Sequence, residues 1–327
     1  MRIAIALDRT IPAVRYGGSD RIAWWLGKAL VRRGHRVVYI VPRGSVCDFA
    51  EVIPYDRNHR PEQQLPDVDL VHDFGVLAGK VDVPLLLRVG GNAAPGTRFP
   101  RNTVFISHNQ AQRHGGSVVV HNGIDPDDYG EPDWTASRDH LLFLALASWR
   151  VKNVRGAIRI ARRAGIPLAV VGGRRLNFNM GFRLTLDSNV RFHGVIGGER
   201  KNRIINNSSA LVFPVRWHEP FGIALIEALY FGCPVFGTPY GSLPEIVIPE
   251  VGVLADSEAE LARRLADLGQ FDRRRCHQYV CDEFSADLMT RRYLALYERV
   301  LNGESLHDHE PVVPDNSDSK LLLMSRQ

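Results

Sequence analysis

No run of about 18 apolar residues occurs in the chain, so no transmembrane helix is expected. The opening MRIAIALDRT holds an apolar stretch too short for a signal-peptide core with its cleavage site. A cytoplasmic protein is therefore the default expectation. Cysteine is scarce: Cys47, Cys233, Cys276 and Cys281 are scattered and fit neither a disulfide framework nor a metal site. Cys233 lies in an apolar run and reads as a small core residue. Zinc-ligand spacings and basic patches interleaved with aromatics are also missing, so nothing points to nucleic acid. The early glycine pair, in VRYGGSDRIA, lacks the G-x-G-x-x-G spacing of a dinucleotide fingerprint.

What is present is ordinary for a globular protein of two domains. The chain has 327 residues, 45% hydrophobic and 24% charged, and single cores rarely grow past about 250–300 residues. Forty-one basic against thirty-six acidic residues give +5, a mild balance compatible with polyanions or small anionic ligands.

The first part alternates buried strands with helices. IAIALD (3–8), HRVVYIV (35–41), VDLVHD (68–73), VPLLLRV (83–89), NTVFIS (102–107) and SVVVHNGI (117–124) read as strands. SDRIAWWLGKALVRRG (19–34) reads as a helix capped by Ser19 and stopped by Gly34. Continuous apolar strands indicate a mostly parallel sheet covered on both faces, and right-handed crossovers make it doubly wound. A break rich in Asp, Pro and Gly, 125–140, marks a domain boundary. The rhythm then restarts with LLFLALA (141–147), PLAVVGG (167–173), VRFHGVI (190–196), ALVFPV (210–215) and CPVFGT (233–238). The expected fold is α/β, two Rossmann-like domains facing a central cleft. The domains are 1–130 and 131–303, with the last helix crossing back, followed by a polar tail, 304–327.

Ligands of parallel sheets sit at the carboxyl ends of strands, which selects four loops. Gly17 and Gly18 let a ligand approach the backbone at a helix start, although a tight turn explains the pair equally well. In HEPFGIALIEALYFG, Gly222 and Ile223 open a helix whose amides can hold a phosphate. Glu219 precedes that turn, and Glu227 lies eight residues on, about 12 Å along a helix. That exceeds the ~5–9 Å of carboxylates working on one bond, so two different partners make more sense. Glu227, inside an apolar helix, requires donors. Sugar hydroxyls or a salt bridge to an arginine satisfy that equally, and Glu219 can equally be a solvated loop acid. Arg150 and Lys152, in ASWRVKNVRGAI, can reach an anion, although in isolation a solvated basic loop is the simpler account. Gly172 and Gly173 leave room for a flat base or a phosphate, or make a plain turn.

Together, HEPFGIALIEAL followed by FGCPVFGTPYGSLPEI resembles the signature of retaining glycosyltransferase family 4, of the GT-B fold, with Glu219 and Glu227 as its E-x7-E pair. RYGGSDRIAWWLGKALVRRGHRV, VHNGID and GSLPEIV resemble further elements of that family, in the right order, to about Gly303. The resemblance implies that Glu219 binds donor-sugar hydroxyls and Glu227 the ribose. It implies that amides around Phe221, Gly222 and Ile223, with Gly17 and Gly18, meet the diphosphate. Lys152 neutralises the leaving phosphate, and the base sits near Gly172 and Gly173. The first domain would be the acceptor side and the second the nucleotide-sugar side. Two departures stand out. LALASWRVKN lacks the family's Gly-Arg start, which makes Arg150 a substitute guanidinium. RVGGN (88–92) stands where a histidine is usual, leaving Asn92 or His108 to face the acceptor.

The implied reaction is transfer of a hexose from a nucleoside diphosphate sugar, with uridine the expected base, to an acceptor hydroxyl. No permanent cofactor and no metal is required, since positive groups already meet the phosphates. The acceptor is a sugar, a natural product or a lipid-linked small molecule. A sugar phosphorylase, a nucleotide-sugar epimerase and an inactive nucleotide-sugar binding protein are the alternatives on the same fold. Trp24 and Trp25 on the basic 19–36 helix pack the sheet or make weak contact with a membrane surface.

Overall fold

The computed structural model describes residues 1–13, 17–56, 61–315 and 321–327. Arg15 and Tyr16 of the first glycine loop lie outside the described residues. The chain forms two compact units. Unit 1 comprises Met1–Asp125 and Phe284–Asp318, and unit 2 comprises Pro126–Glu283 and Ser319–Gln327. The sequence put the passage between domains at 130/131; the units divide at Asp125/Pro126, and the chain returns to unit 1 from Phe284 onward.

Unit 1 holds β1 (Arg2–Ala6), β2 (Arg36–Pro42), β3 (Glu51–Tyr55), β4 (Leu70–Asp73), β5 (Leu85–Val89) and β6 (Thr103–Phe105), all parallel, in the order β3-β2-β1-β4-β5-β6. Its first two α-helices are α1 (Ser19–Arg32) and α2 (His108–Arg113). In unit 2 come β7 (His140–Leu144), α3 (Val154–Ala164), β8 (Leu168–Val171), β9 (Leu176–Asn177), β10 (Arg183–Leu184), β11 (Val190–Phe192) and α4 (Gly198–Asn206). They are followed by β12 (Ser208–Phe213), α5 (Ile223–Tyr230), β13 (Val235–Gly237), α6 (Leu243–Ile246), β14 (Gly252–Leu254), α7 (Glu258–Arg264) and α8 (Arg273–Glu283). The second sheet is parallel in the order β11-β8-β7-β12-β13-β14, and β9 and β10 make a separate two-stranded ribbon. α9 (Ala286–Leu301) belongs to unit 1.

Strands covered on both faces have nowhere to put polar side chains, so they read as unbroken apolar runs. Ile3, Ile5 and Leu70 in unit 1, and Leu141, Phe143, Val170 and Leu211 in unit 2, are essentially inaccessible. Trp25 of α1 is buried, and Trp24 stacks on Tyr39 of β2 at 6.5 Å. Both tryptophans are thus used inside unit 1. Lys28 and Arg32 pair with Asp125, and Arg33 with Asp287. The apolar face of this helix is therefore not offered to a membrane surface.

Three expectations change. Ser117–Ile124 is not a strand: it makes single bridges, Val119 to Phe105 and Ile124 to Ser285. Its apolar side chains fill the margin of the sheet while Asn122 accepts a hydrogen bond from Arg88 Nη2 at 2.7 Å. Ser19 does not cap α1; Gly18 takes that place, without a side-chain cap. The tail is not one segment. Leu306 and Val313 are buried in unit 1, whereas Arg216 donates to the Leu322 carbonyl within unit 2.

A polar cluster lies inside unit 1. His72 Nδ1 and the Tyr297 hydroxyl share a hydrogen bond of 2.5 Å. Burial, with Arg88 nearby, holds His72 well below the usual imidazole range, hence neutral. At the carboxyl end of β4, burial pushes Asp73 up to about 6, although the amides of Gly75, Val76 and Leu77 oppose the shift. The folded protein therefore binds this proton more tightly than the unfolded chain. The resulting stabilisation is full below about pH 4 and is lost as pH rises through about 6. Asp73→Asn is expected to remove that fall, on the order of 2–3 kcal/mol, in urea unfolding followed across this range.

Candidate active site

The site is built in unit 2 from loops that leave neighbouring strands at their carboxyl ends. The loop after β7 and the loop after β12 are tied by Arg216 N to Val151 O, 2.7 Å, and by Asn153 Nδ2 to Pro214 O, 2.9 Å. The loop after β13 joins them through Thr238 Oγ1 to Val215 O, 2.6 Å, and Ser242 N to Glu219 O, 2.9 Å.

Lys152 ends a short 3-10 turn, Arg150–Lys152. The next residue, Asn153, has φ 57° and caps α3 by accepting from Gly156 N at 3.0 Å. This left-handed residue turns the chain sharply and sends Lys152 inward. Its Nζ meets both oxygens of Glu219, at 2.8 and 2.6 Å, and lies over the rings of Phe213 and Trp217 at 5.3 and 5.0 Å. Trp217 Nε1 donates to Glu219 Oε2 at 2.6 Å. Lys152 is 7% and Glu219 5% exposed, so neither is the solvated loop residue that sequence alone allowed. Arg150, two residues before, is exposed.

Gly222 is not in the first helical turn. It precedes α5 with φ 84°, a left-handed backbone that favours glycine. Gly222, Ile223 and Ala224 are half-buried, so the start of α5 stays open to solvent, whereas Phe221 is core. Glu227, 2% exposed, accepts from the Tyr129 hydroxyl at 2.9 Å and pairs with Lys201 of α4, both at Oε1. The two acids therefore have different partners, and the one opposite Glu227 is a lysine where an arginine was considered.

Gly172 and Gly173 have a packing reason. A Cβ on Gly172 would sit 2.1 Å from the Ala145 carbonyl, and one on Gly173 2.5 Å from the Ala147 Cβ. Gly173 also bridges to Gly194 in the turn after β11. In unit 1, Gly17 covers the carboxylate of Asp20, which burial raises above its ordinary value. Asn92 and His108 are exposed, and the His108 ring lies edge-on to His121 at 5.6 Å. Arg88, where the family histidine was missing, is buried against Phe74 at 4.8 Å, and burial lowers its pKa.

Sequence reasoning missed Trp217, Lys201, Tyr129 and Gly241. Trp217 stood beside Glu219 in RWHEPF, but Lys201 sat in a charge run that resembles a solvated helix face. Gly241 has φ 67°, and a Cβ there would lie 2.2 Å from the Glu219 amide nitrogen. Gly241→Ala is expected to cost about 2–4 kcal/mol and to displace Glu219. Gly44→Ala, at φ 91° with nothing within 4 Å, carries the backbone strain alone and should cost less in the same urea titration.

Two doubly wound parallel units define the GT-B architecture of paired Rossmann-like domains. Residues 140–279 match the family described as glycosyl transferases group 1, and that match supports glycosyltransferase activity. Among solved structures, the chain is similar to AviGT4, a glycosyltransferase involved in avilamycin A biosynthesis. Identity is 24% over 92% of this chain and 98% of that one, with a TM-score of 0.78. It is also similar to a sucrose-phosphate synthase from Thermosynechococcus elongatus, at 18% identity over 93% and 100% of the two chains, TM-score 0.66. A third, Anabaena Alr3699/HepE in complex with UDP-glucose, has 15% identity over 91% and 99%, TM-score 0.65. No curated protein matches the chain.

Proposed function

We propose that the chain is a retaining glycosyltransferase that moves a sugar from a nucleoside diphosphate sugar to an acceptor hydroxyl. The observation that carries this reading is the buried Lys152–Glu219 pair beside the open, left-handed turn at Gly222. In this reading the first amides of α5 receive the diphosphate. Lys152 exchanges its carboxylate partner for the phosphate on which charge builds as the sugar leaves. Glu219, released, accepts from donor-sugar hydroxyls. Glu227 accepts from the ribose, and the base lies by Gly172, Gly173 and Gly194. Uridine is the base proposed, as in the Anabaena structure of the same fold.

Gly17 and Gly18 are further residues proposed for the diphosphate. Asn92 and His108 of unit 1 would recognise the acceptor, a sugar, natural product or lipid-linked small molecule. The positive groups make a metal unnecessary. Glu219 is occupied by donor-sugar hydroxyls in this reading and Glu227 by the ribose, so neither is assigned as a covalent nucleophile and a front-face displacement is preferred, with the leaving phosphate taking the acceptor proton. A trapped glycosyl-enzyme adduct would overturn that step. Arg150 is proposed to reach the diphosphate from the surface. Arg150→Ala is expected to weaken donor affinity about tenfold, as for loss of one charge-assisted hydrogen bond, and unchanged affinity and turnover would remove it from the site.

The test is a thermal-shift screen over nucleoside diphosphates and their sugars, because a ligand of the native state raises the midpoint. Product anomers are then read by NMR with the best donor. Failure of every nucleotide to raise the midpoint contradicts the reading. Tight binding without turnover across an acceptor panel would favour an inactive binding protein.

A further inference from the structure

Between β8 and β11, which are parallel neighbours, the chain crosses over without a helix; such crossovers usually take one. The segment has an apolar side chain at every second position: Leu176, Phe178, Met180, Phe182, Leu184 and Leu186. β9 and β10 pair antiparallel with Leu176 opposite Leu184 and Asn177 opposite Arg183. Alternate residues of a strand share a face, and here the apolar face is the outer one. The six side chains are 47%, 70%, 62%, 61%, 51% and 82% exposed in chain order, and the rings of Phe178 and Phe182 lie 5.8 Å apart. The inner face is polar. Arg183 and Thr185 are buried there, with Arg183 on the Phe192 ring at 5.0 Å and donating to Thr185 Oγ1 at 2.8 Å.

The ribbon is held in place by arginines. Arg175 donates to the carbonyls of Thr185, Asp187 and Val190, at 3.2, 2.8 and 2.5 Å. Arg155 of α3 reaches the Phe182 carbonyl at 2.7 Å. From 174 to 191 the chain carries Arg174, Arg175, Arg183 and Arg191 against Asp187 alone. Of these, Arg174, Arg175 and Arg191 are exposed, as is Arg155.

We propose that this ribbon docks the protein on an anionic phospholipid bilayer. Its apolar face enters the headgroup–acyl boundary, and the exposed flanking Arg174 and Arg191 meet lipid phosphates. Exposed apolar area of this extent marks an interaction surface, and the cationic rim selects the partner. A second copy would bring like-charged rims together, whereas an anionic surface attracts each arginine by about fivefold in partitioning. The combination of an apolar face and basic flanks is that of interfacial membrane segments, carried here by a hairpin. The proposal stands on the ribbon alone and is independent of the sugar-transfer reading.

The test is co-sedimentation of the full chain with phosphatidylcholine vesicles, with and without about a third phosphatidylglycerol. The chain is expected to pellet with the anionic vesicles and to remain largely in solution with neutral ones. The triple variant Phe178→Ser, Phe182→Ser, Leu186→Ser should lose at least about tenfold in partitioning, since each loses most of an apolar side chain. All three side chains face solvent, so its thermal midpoint should be unchanged. Failure of the wild type to pellet, or equal pelleting of the triple variant, overturns the proposal. So does a wild-type dimer in sedimentation velocity that the triple variant abolishes, because the ribbon would then bind a second copy.

Discussion

Lys152→Ala is expected to lower kcat/KM by about 10²–10³-fold, the usual cost of removing one preorganised group that stabilises developing negative charge. It is also expected to destabilise the fold by about 3–5 kcal/mol, because Glu219 would be left as a buried charge without its cation. Burial makes both effects large. Among the described residues, the Trp217 indole is the side-chain donor that stays on Glu219 once the ammonium is gone. Stability and catalysis can be separated. The double variant Lys152→Met, Glu219→Gln removes both charges at nearly constant volume, and replacing a buried ion pair by neutral groups is often close to neutral for stability. Urea unfolding of the double variant should therefore recover most of the loss, while turnover stays at the level of Lys152→Ala. Recovery of turnover along with stability would show that the pair serves only the fold.

The second large effect concerns Glu227. Lys201→Met should destabilise by about 3–5 kcal/mol for the same reason, loss of the cation paired with an acid buried in an apolar helix, while the Tyr129 hydroxyl still donates to it. If Glu227 also receives the ribose hydroxyls, Glu227→Gln combined with Lys201→Met should restore stability and still bind nucleoside diphosphate about 10–100-fold more weakly. That is the range for hydrogen bonds to a charged acceptor. Calorimetric titration of the double variant decides the matter. Wild-type affinity would make the Glu227–Lys201 pair structural, and the apolar helix would then hold an acid for packing alone.

Much of the architecture was legible because parallel strands buried on both faces leave a simple trace. IAIALD, LLFLALA and PLAVVGG have almost no polar side to show; β8 lies within its run, and β1 and β7 each begin one residue before theirs. EVIPY was passed over because β3 is an edge strand whose side chains are mostly exposed or half-buried and which contains a proline. SVVVHNGI reads as a strand because its valines pack at the sheet margin, yet its pairing with β6 is a single bridge at Phe105, with hydrogen bonds to Val118 and Val120, and does not extend into a ladder. The ribbon at 176–186 alternates with period two, but its apolar residues point outward, and a pattern does not say which face meets a core.

At the site, the strand-end rule found the loops that carry Lys152, Glu219 and Gly222. It could not supply the pairings. Lys152 meets Glu219 across 67 residues and Lys201 meets Glu227 across 26, and nothing local in the chain encodes such meetings. The role of Gly241 was hidden likewise, since the backbone it must clear belongs to Glu219 in another loop.

In the proposed reaction the half-buried start of α5 and the Lys152 loop grip a nucleoside diphosphate. Amide hydrogen exchange with and without UDP tests it most directly. Slower exchange is expected in the segments 145–156 and 214–230 of unit 2 when UDP is bound. Saturating UDP that leaves both segments unchanged, while protecting others, would contradict it.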